Sequence, residues 1–178
     1  MTPELAKQIC INAHKGQWRK PTTFKIPEQG TLEGINKYIA PKLLNCNYTV
    51  HKGNKYSYNA DNILQVQQPY VNHPIAVADM LNTDEEKILA YLHDVIEDTS
   101  ITFDDLLFAG ANNNCLEALM LLTHVINEDY KHYIQKICTN KLATKVKLAD
   151  MFHNMSTSTS EKQKAKYLKY MPILLNNL

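Results

Sequence analysis

Helical periodicity covers residues 1–13 and 73–175 of this chain, and one long block between them breaks it. That pattern constrains the fold more than any other feature. Thr2 stands before Pro3 and Glu4, an N-cap followed by proline at the first helical position, and Leu5, Ile9 and Ala13 recur at four-residue spacing. They predict a first helix with those three residues as its apolar stripe. Residues 73–81 read as a second helix. Thr83 with Glu86 three residues on is a capping box that opens a third, carrying Ile88, Leu89, Leu92 and Ile96 and continuing through Glu97 and Asp98. Thr102 with Asp105 repeats the cap before Leu106 and Leu107, with a stop at Gly110. Residues 115–125, 128–138, 141–155 and 161–175 follow as helices, and Pro172 is expected to kink or shorten the last.

The exception is 21–68, which holds three of the five glycines and three of the seven prolines. Within it Tyr48, Thr49, Val50 and His51 alternate, as do Lys55, Tyr56, Ser57 and Tyr58, across Lys52-Gly53-Asn54; this predicts a β-hairpin at 48–58. About fifty residues is too long for a plain connection in a compact domain, so the block reads as an inserted lobe within a single domain spanning 1–178. A net charge of +1 gives no global attraction to nucleic acid or membrane, and no apolar run approaches the ~18 residues that span a bilayer. Cys10, Cys46, Cys115 and Cys138 form no CxxC pair and follow no signal peptide, which points to a reducing, cytoplasmic setting. A homo-oligomer stays open.

The chemistry concentrates in Leu92-His93-Asp94-Val95-Ile96-Glu97-Asp98. A divalent ion accepts mixed imidazole and carboxylate donors and leaves positions for water and a substrate oxygen. His73 and Asp150 can complete such a set with His93 and Asp94. Glu97 and Asp98 lie one turn beyond that pair and are placed to act on water as acid and base. Asp150 and Asn154 sit at i and i+4, so one helix can offer a ligand and an amide for a substrate hydroxyl or the water. A lone His-Asp pair is weak on its own, because both residues are common on solvated helix faces; its company makes it specific. His14, His51, His124, His132 and His153 lack that company and read as surface or core-edge residues, with His153 a neighbour of the ligands. Tyr130, Tyr133, Tyr167 and Tyr170 read as core or groove packing. Arg19 is the only arginine, the other eighteen basic residues being lysine. A guanidinium stacks on a base or grips phosphate in two places, which an ammonium does not.

Four segments carry a resemblance: Ala13-His14-Lys15-Gly16-Gln17-Trp18-Arg19-Lys20, Pro69-Tyr70-Val71-Asn72-His73-Pro74, His93-Asp94-Val95-Ile96-Glu97-Asp98-Thr99, and Lys147-Leu148-Ala149-Asp150 through His153-Asn154-Met155. In this order they resemble the signature segments of the hydrolase domain of Rel/Spo alarmone enzymes. The resemblance covers residues 1–20 and 69–178, and the chain is similar to the small alarmone hydrolases that carry no synthetase domain. It implies an all-α HD-domain helical bundle with the lobe inserted in it. It also implies Mn²⁺, or another divalent ion, on His73, His93, Asp94 and Asp150. The implied reaction removes pyrophosphate from the ribose 3′ position of (p)ppGpp or a related alarmone. Glu97 and Asp98 match the residues that activate water and transfer protons, while Arg19, Lys20, Asn154 and Lys147 match the substrate-binding set. The partner implied is a small nucleotide, with no membrane and no extended nucleic-acid surface. Two other readings stay open. One is an HD-type phosphohydrolase retuned to a pyrophosphorylated tRNA end, a ppApp-type nucleotide or a phosphorylated dinucleotide cofactor, as an antitoxin or a phage-type counter-defence. The other is a nucleotide-binding module without turnover, which would not need both Glu97 and Asp98.

Overall fold

A computed structural model describes residues 1–25, 49–51, 53–58, 63–157 and 160–178. Its described helices are α1 (Pro3–Ala13), α2 (Asn72–Asp79), α3 (Asp84–Leu92), α4 (Val95–Asp98), α5 (Phe103–Phe108), α6 (Asn113–Leu122), α7 (Tyr130–Ile137), α8 (Lys141–Ser156) and α9 (Glu161–Leu175). The strands are β1 (Thr22–Lys25), β2 (Thr49–His51), β3 (Asn54–Tyr58) and β4 (Ile63–Gln67). The chain divides into two compact units, one of residues 1–15 and 71–178 and the other of residues 16–70.

In the helical unit, side-chain caps open most of the helices, because an N-terminal turn leaves backbone N–H groups that a short polar side chain can satisfy. Thr2, Thr83, Thr102, Asn112, Asp129, Asn140 and Ser160 each accept a hydrogen bond from the first turn they precede. Both expected capping boxes form, at Thr83/Glu86 and Thr102/Asp105. The first helix departs from expectation at Leu5, while Ile9 and Ala13 pack partly buried against the core. Leu5 is 43% exposed, and Ala6 and Cys10 are the buried pair, since small side chains let α1 lie close against α3. Pro172 neither stops nor shortens α9, which runs on to Leu175. The hydrogen bond it forfeits belongs to the carbonyl of Leu168, an exposed residue whose backbone water can reach. His14 is buried rather than at a surface or core edge.

The third helix is the larger surprise. It ends at Leu92, and after His93 and Asp94 the short α4 begins. Asp94 has φ −103° and ψ −5°, right-handed but away from ideal helix values, so the two motif residues lie at a break between two helices.

α8 is the hub, packing against α2, α3, α6, α7 and α9. Val146 and Met151 on it are fully buried, with Leu89, Leu92, Ile134, Ile137 and Leu174 from its neighbours. Lys145 also ties α8 to the start of α3, its Nζ 2.6 Å from Glu86 Oε1, while Glu86 Oε2 accepts the N–H groups of Asn82 and Thr83 at 3.0 and 3.1 Å.

The second unit holds an antiparallel sheet in the order β1-β4-β3-β2. The expected hairpin is its β2-β3 pair, with Thr49 opposite Tyr56 and His51 opposite Asn54. Gly53 takes φ +78°, the left-handed conformation that calls for glycine in so short a connection. Tyr48, Lys52 and Cys46 lie outside the described residues. β1 and β4 were not foreseen, because the runs Thr22-Thr23-Phe24-Lys25 and Ile63-Leu64-Gln65-Val66-Gln67 are short and far apart in sequence. Cys10, Cys115 and Cys138 are free thiols, and no described helix is long and apolar enough to cross a membrane.

Glu86 provides a test of this packing. Lys145 chiefly, with burial opposing it, holds the Glu86 carboxyl down at about 2. Because the folded value is depressed, its stabilisation is present above the unfolded value of about 4.3 and is lost as pH falls through about 2. Urea midpoints measured from pH 6 to pH 2 should fall less steeply for Glu86→Gln than for the parent. Glu86→Ala, which also removes the capping box, should cost about 2 kcal/mol at pH 7.

Candidate metal centre

The corner between α3 and α4, the first turn of α2 and the middle of α8 bring four side chains to one point. His73 Nε2 lies 3.1 Å from Asp150 Oδ1 and 3.6 Å from Asp94 Oδ2, and His93 Nε2 lies 3.1 Å from Asp94 Oδ2 and 3.8 Å from Asp150 Oδ1. Donor atoms of His73, His93 and Asp94 all fall within 4.8 Å of one another. Bonds of roughly 2.0–2.2 Å at tetrahedral or octahedral angles put neighbouring donors roughly 3.0–3.6 Å apart. The observed spacings therefore suit one divalent ion, and two imidazoles with two carboxylates are a donor set such ions accept.

Three of the four donors are aimed from behind. His93 Nδ1 is 2.7 Å from the carbonyl oxygen of Ala90, to which it can only donate, leaving Nε2 to face the carboxylates. His73 Nδ1 is 2.7 Å from Nδ1 of His153, so one histidine orients another. Asp150 Oδ1 accepts the Asn154 amide at 2.6 Å, and Oδ2 pairs with Lys147 Nζ at 2.9 Å. Lys147 also approaches the Tyr133 ring, at 5.2 Å from its centroid.

Burial works against every charge here, and the neighbours decide the outcome. Burial alone would raise the Asp150 carboxyl, yet Lys147 and then the histidines hold it well below the usual carboxylate range. Asp94 is likewise lowered against burial, by His93. Burial pushes His73 down toward the neutral ring, while His93 is driven well above its ordinary value by Asp94 and Asp150 despite its burial. A ligating imidazole is neutral, so metal binding would release that His93 proton.

Beside these donors lies a cleft of about 620 Å³, mouth included, lined by His93, Asp94, Glu97, His124, Lys147 and Lys166 and walled by Tyr130, Tyr133, Tyr167 and Leu122. The Glu97 Oε1 atom accepts the backbone N–H of His124 at 2.5 Å, and burial on the cleft side raises its carboxyl above the ordinary value.

The structure brings His73, His93, Asp94, Asp150, Lys147 and Asn154 together at one place, with Glu97 bordering it. Asp98 is exposed and does not line the cleft. Arg19 and Lys20 belong to the second unit, where the Arg19 N–H donates to Gln68 O at 2.9 Å and its carbonyl accepts Gln67 Nε2 at 3.1 Å. His124 and Lys166 were missed as cleft residues. The i, i+3 spacing of Tyr130 and Tyr133 did mark a groove, but one lysine among several on α9 carries no signal of its own.

No family model matches the chain. A probable guanosine-3′,5′-bis(diphosphate) 3′-pyrophosphohydrolase of Synechocystis is 30% identical over 139 residues, covering 70% of this chain and 18% of that protein. The bifunctional (p)ppGpp synthase/hydrolase SpoT of Escherichia coli K12 is 34% identical over 104 residues, covering 51% of this chain and 15% of its own length. A solved structure described as a metazoan ortholog of SpoT that hydrolyses ppGpp superposes with a TM-score of 0.56 at 18% identity, over 98% of this chain and 84% of the other. These matches support a Rel/Spo HD-domain hydrolase, which the chain resembles over 70% of its length. The chain spans less than a fifth of the length of these curated relatives, and the metazoan neighbour shares the fold.

In this Rel/Spo-type fold the Lys147–Asp150 pair is buried, and removing one partner of such a pair strands the other. Lys147→Met should lower stability by about 3 kcal/mol in urea unfolding with chelator present, and a loss under about 1 kcal/mol would show that water reaches Asp150 freely.

Proposed function

We propose that the chain catalyses metal-dependent hydrolysis of the 3′-pyrophosphate of (p)ppGpp or a related alarmone nucleotide, releasing pyrophosphate and leaving the ribose 3′-hydroxyl. The observation that carries this reading is the convergence of His73, His93, Asp94 and Asp150 at 3.1–3.8 Å beside a cleft that Glu97 borders. The names and matched spans of the relatives support the substrate class.

In this proposal the four residues hold one divalent ion, Mn²⁺ being the one the family resemblance implies. When bound, it supplies Lewis-acid charge and lowers the pKa of water at its open position. The chain's own residues do the remainder. Glu97, its carboxyl raised above the ordinary value by burial, takes a proton from the attacking water, and Asp98 carries the proton-transfer role toward the departing 3′-oxygen that the resemblance gives it. The bond that forms joins the water oxygen to phosphorus, and the bond that breaks joins phosphorus to the 3′-oxygen. Asn154 and Lys147 hold Asp150 in place and edge the substrate. Arg19 and Lys20 carry the base- and phosphate-binding role that the resemblance gives them.

Two outcomes follow. His93→Ala and Asp94→Ala should lose bound metal and turnover together, read by elemental analysis and by chromatography of a panel of bis-diphosphate, adenine and pyrophosphorylated RNA substrates. Full activity of chelated protein would refute the metal role. Glu97→Gln should keep its metal while the rate falls by roughly two to four orders of magnitude, and Asp98→Asn should do the same to a degree set by its share in proton transfer. Metal loss in either variant would make that residue a ligand.

A further inference from the structure

The two imidazole donors are oriented by different means. The back nitrogen of His93 meets the carbonyl of Ala90, a main-chain oxygen that any residue at that position would supply. That of His73 meets a side chain, Nδ1 of His153 at 2.7 Å, with the ring centroids 4.8 Å apart and the rings inclined by 38°. Two Nδ1 atoms at that distance share one proton. His73 Nε2 faces Asp150 and Asp94 at 3.1 and 3.6 Å, where it must offer a lone pair to an ion, so the shared proton belongs to His73 Nδ1 and His153 accepts it. His153 then carries its own proton on Nε2.

His153 is itself held. Its carbonyl accepts hydrogen bonds from Ser156 Oγ at 2.8 Å, Thr157 Oγ1 at 2.9 Å and the Thr157 N–H at 3.1 Å. The N–H bond is the last of the α8 ladder, and the two hydroxyls add to it at a helix end where carbonyls otherwise run out of partners. Asn154, the next residue, donates to Asp150 Oδ1 at 2.6 Å. One turn of α8 therefore aims two of the four donors, one on its own helix and one on α2. The hydrolytic step proposed above gives His153, Ser156 and Thr157 no part.

We infer that His153 is a positioning residue of the metal centre: it sets the tautomer and direction of His73 and thereby the affinity for the ion, with Ser156 and Thr157 fixing His153 in turn. This rests on the metal role proposed above and not on the identity of the nucleotide. A group behind a ligating histidine fixes the ring and raises its basicity, and its loss costs roughly 10- to 100-fold in metal affinity. His153 acts through His73 rather than as a further donor, because its Nδ1 is taken up by that ring.

The test titrates the chelator-treated full chain with Mn²⁺ in the absence of nucleotide, reading the free ion from its paramagnetic resonance signal. His153→Phe keeps a planar ring and removes the acceptor, and it should weaken Mn²⁺ by roughly 10- to 100-fold. His153→Asn returns an acceptor oxygen near the place of Nδ1 and should recover most of the affinity, which packing alone would not produce. Ser156→Ala combined with Thr157→Val leaves both rings in place and should weaken Mn²⁺ by a smaller factor. Urea midpoints of the metal-free proteins should stay close to the parent's, which separates lost aim from a lost fold. Parent-like affinity in His153→Phe, or no recovery in His153→Asn, would overturn the inference while the metal role stands. If His153→Phe does not fold, the paired hydroxyl variant decides: weaker Mn²⁺ supports the inference and unchanged Mn²⁺ overturns it. A parent that retains no Mn²⁺ would instead refute the metal role itself.

Discussion

The buried carboxylate of Asp150 is the constraint around which the helical unit is arranged. An ionised carboxylate taken from water costs several kcal/mol unless charge and hydrogen bonds replace its hydration. α8 supplies part of that replacement itself, with Lys147 one turn before Asp150 and Asn154 one turn after. His73 comes from α2, and His93 from the end of α3. These are among the helices α8 packs against, so the hydrophobic contacts that bury α8 and the polar contacts that satisfy Asp150 require the same arrangement.

The corner at His93 and Asp94 converts that packing into a site. His93 Nε2 lies 3.1 Å from Asp94 Oδ2 there, and Glu97 of α4 lines the cleft. A backbone N–H from the segment after α6 then fixes Glu97. Both rings have their back nitrogen occupied, His93 by the Ala90 carbonyl and His73 by His153, and both turn Nε2 toward the carboxylates. The donor set is thus oriented by the protein's own hydrogen bonds.

Charge is distributed unevenly across this unit. The acidic groups gather at the donor set, and the cleft wall beyond them is aromatic with one uncommitted lysine. The separation arises because Lys147 is drawn into the core by Asp150 and Lys166 is not.

Much of this was legible in the residues themselves. The caps at Thr2, Thr83 and Thr102, the apolar spacing of the later helices and the hairpin around Gly53 follow from local rules, and His73, His93, Asp94 and Asp150 stood out as candidate donors by residue type and by the resemblance. Caps act within one turn, periodicity within one helix, and metal-binding side chains are few in kind. The tertiary structure decided what depends on neighbours distant in sequence. It placed Ala6 and Cys10 rather than Leu5 on the buried face of α1, because close approach to α3 favours small side chains. It broke the third helix at its motif, joined β1 to β4 across some forty residues of chain, buried His14, and distinguished Lys166 from the other lysines of α9. Local spacing specifies which groups the chain can offer; burial and electrostatic balance, set by packing, determine which of them meet.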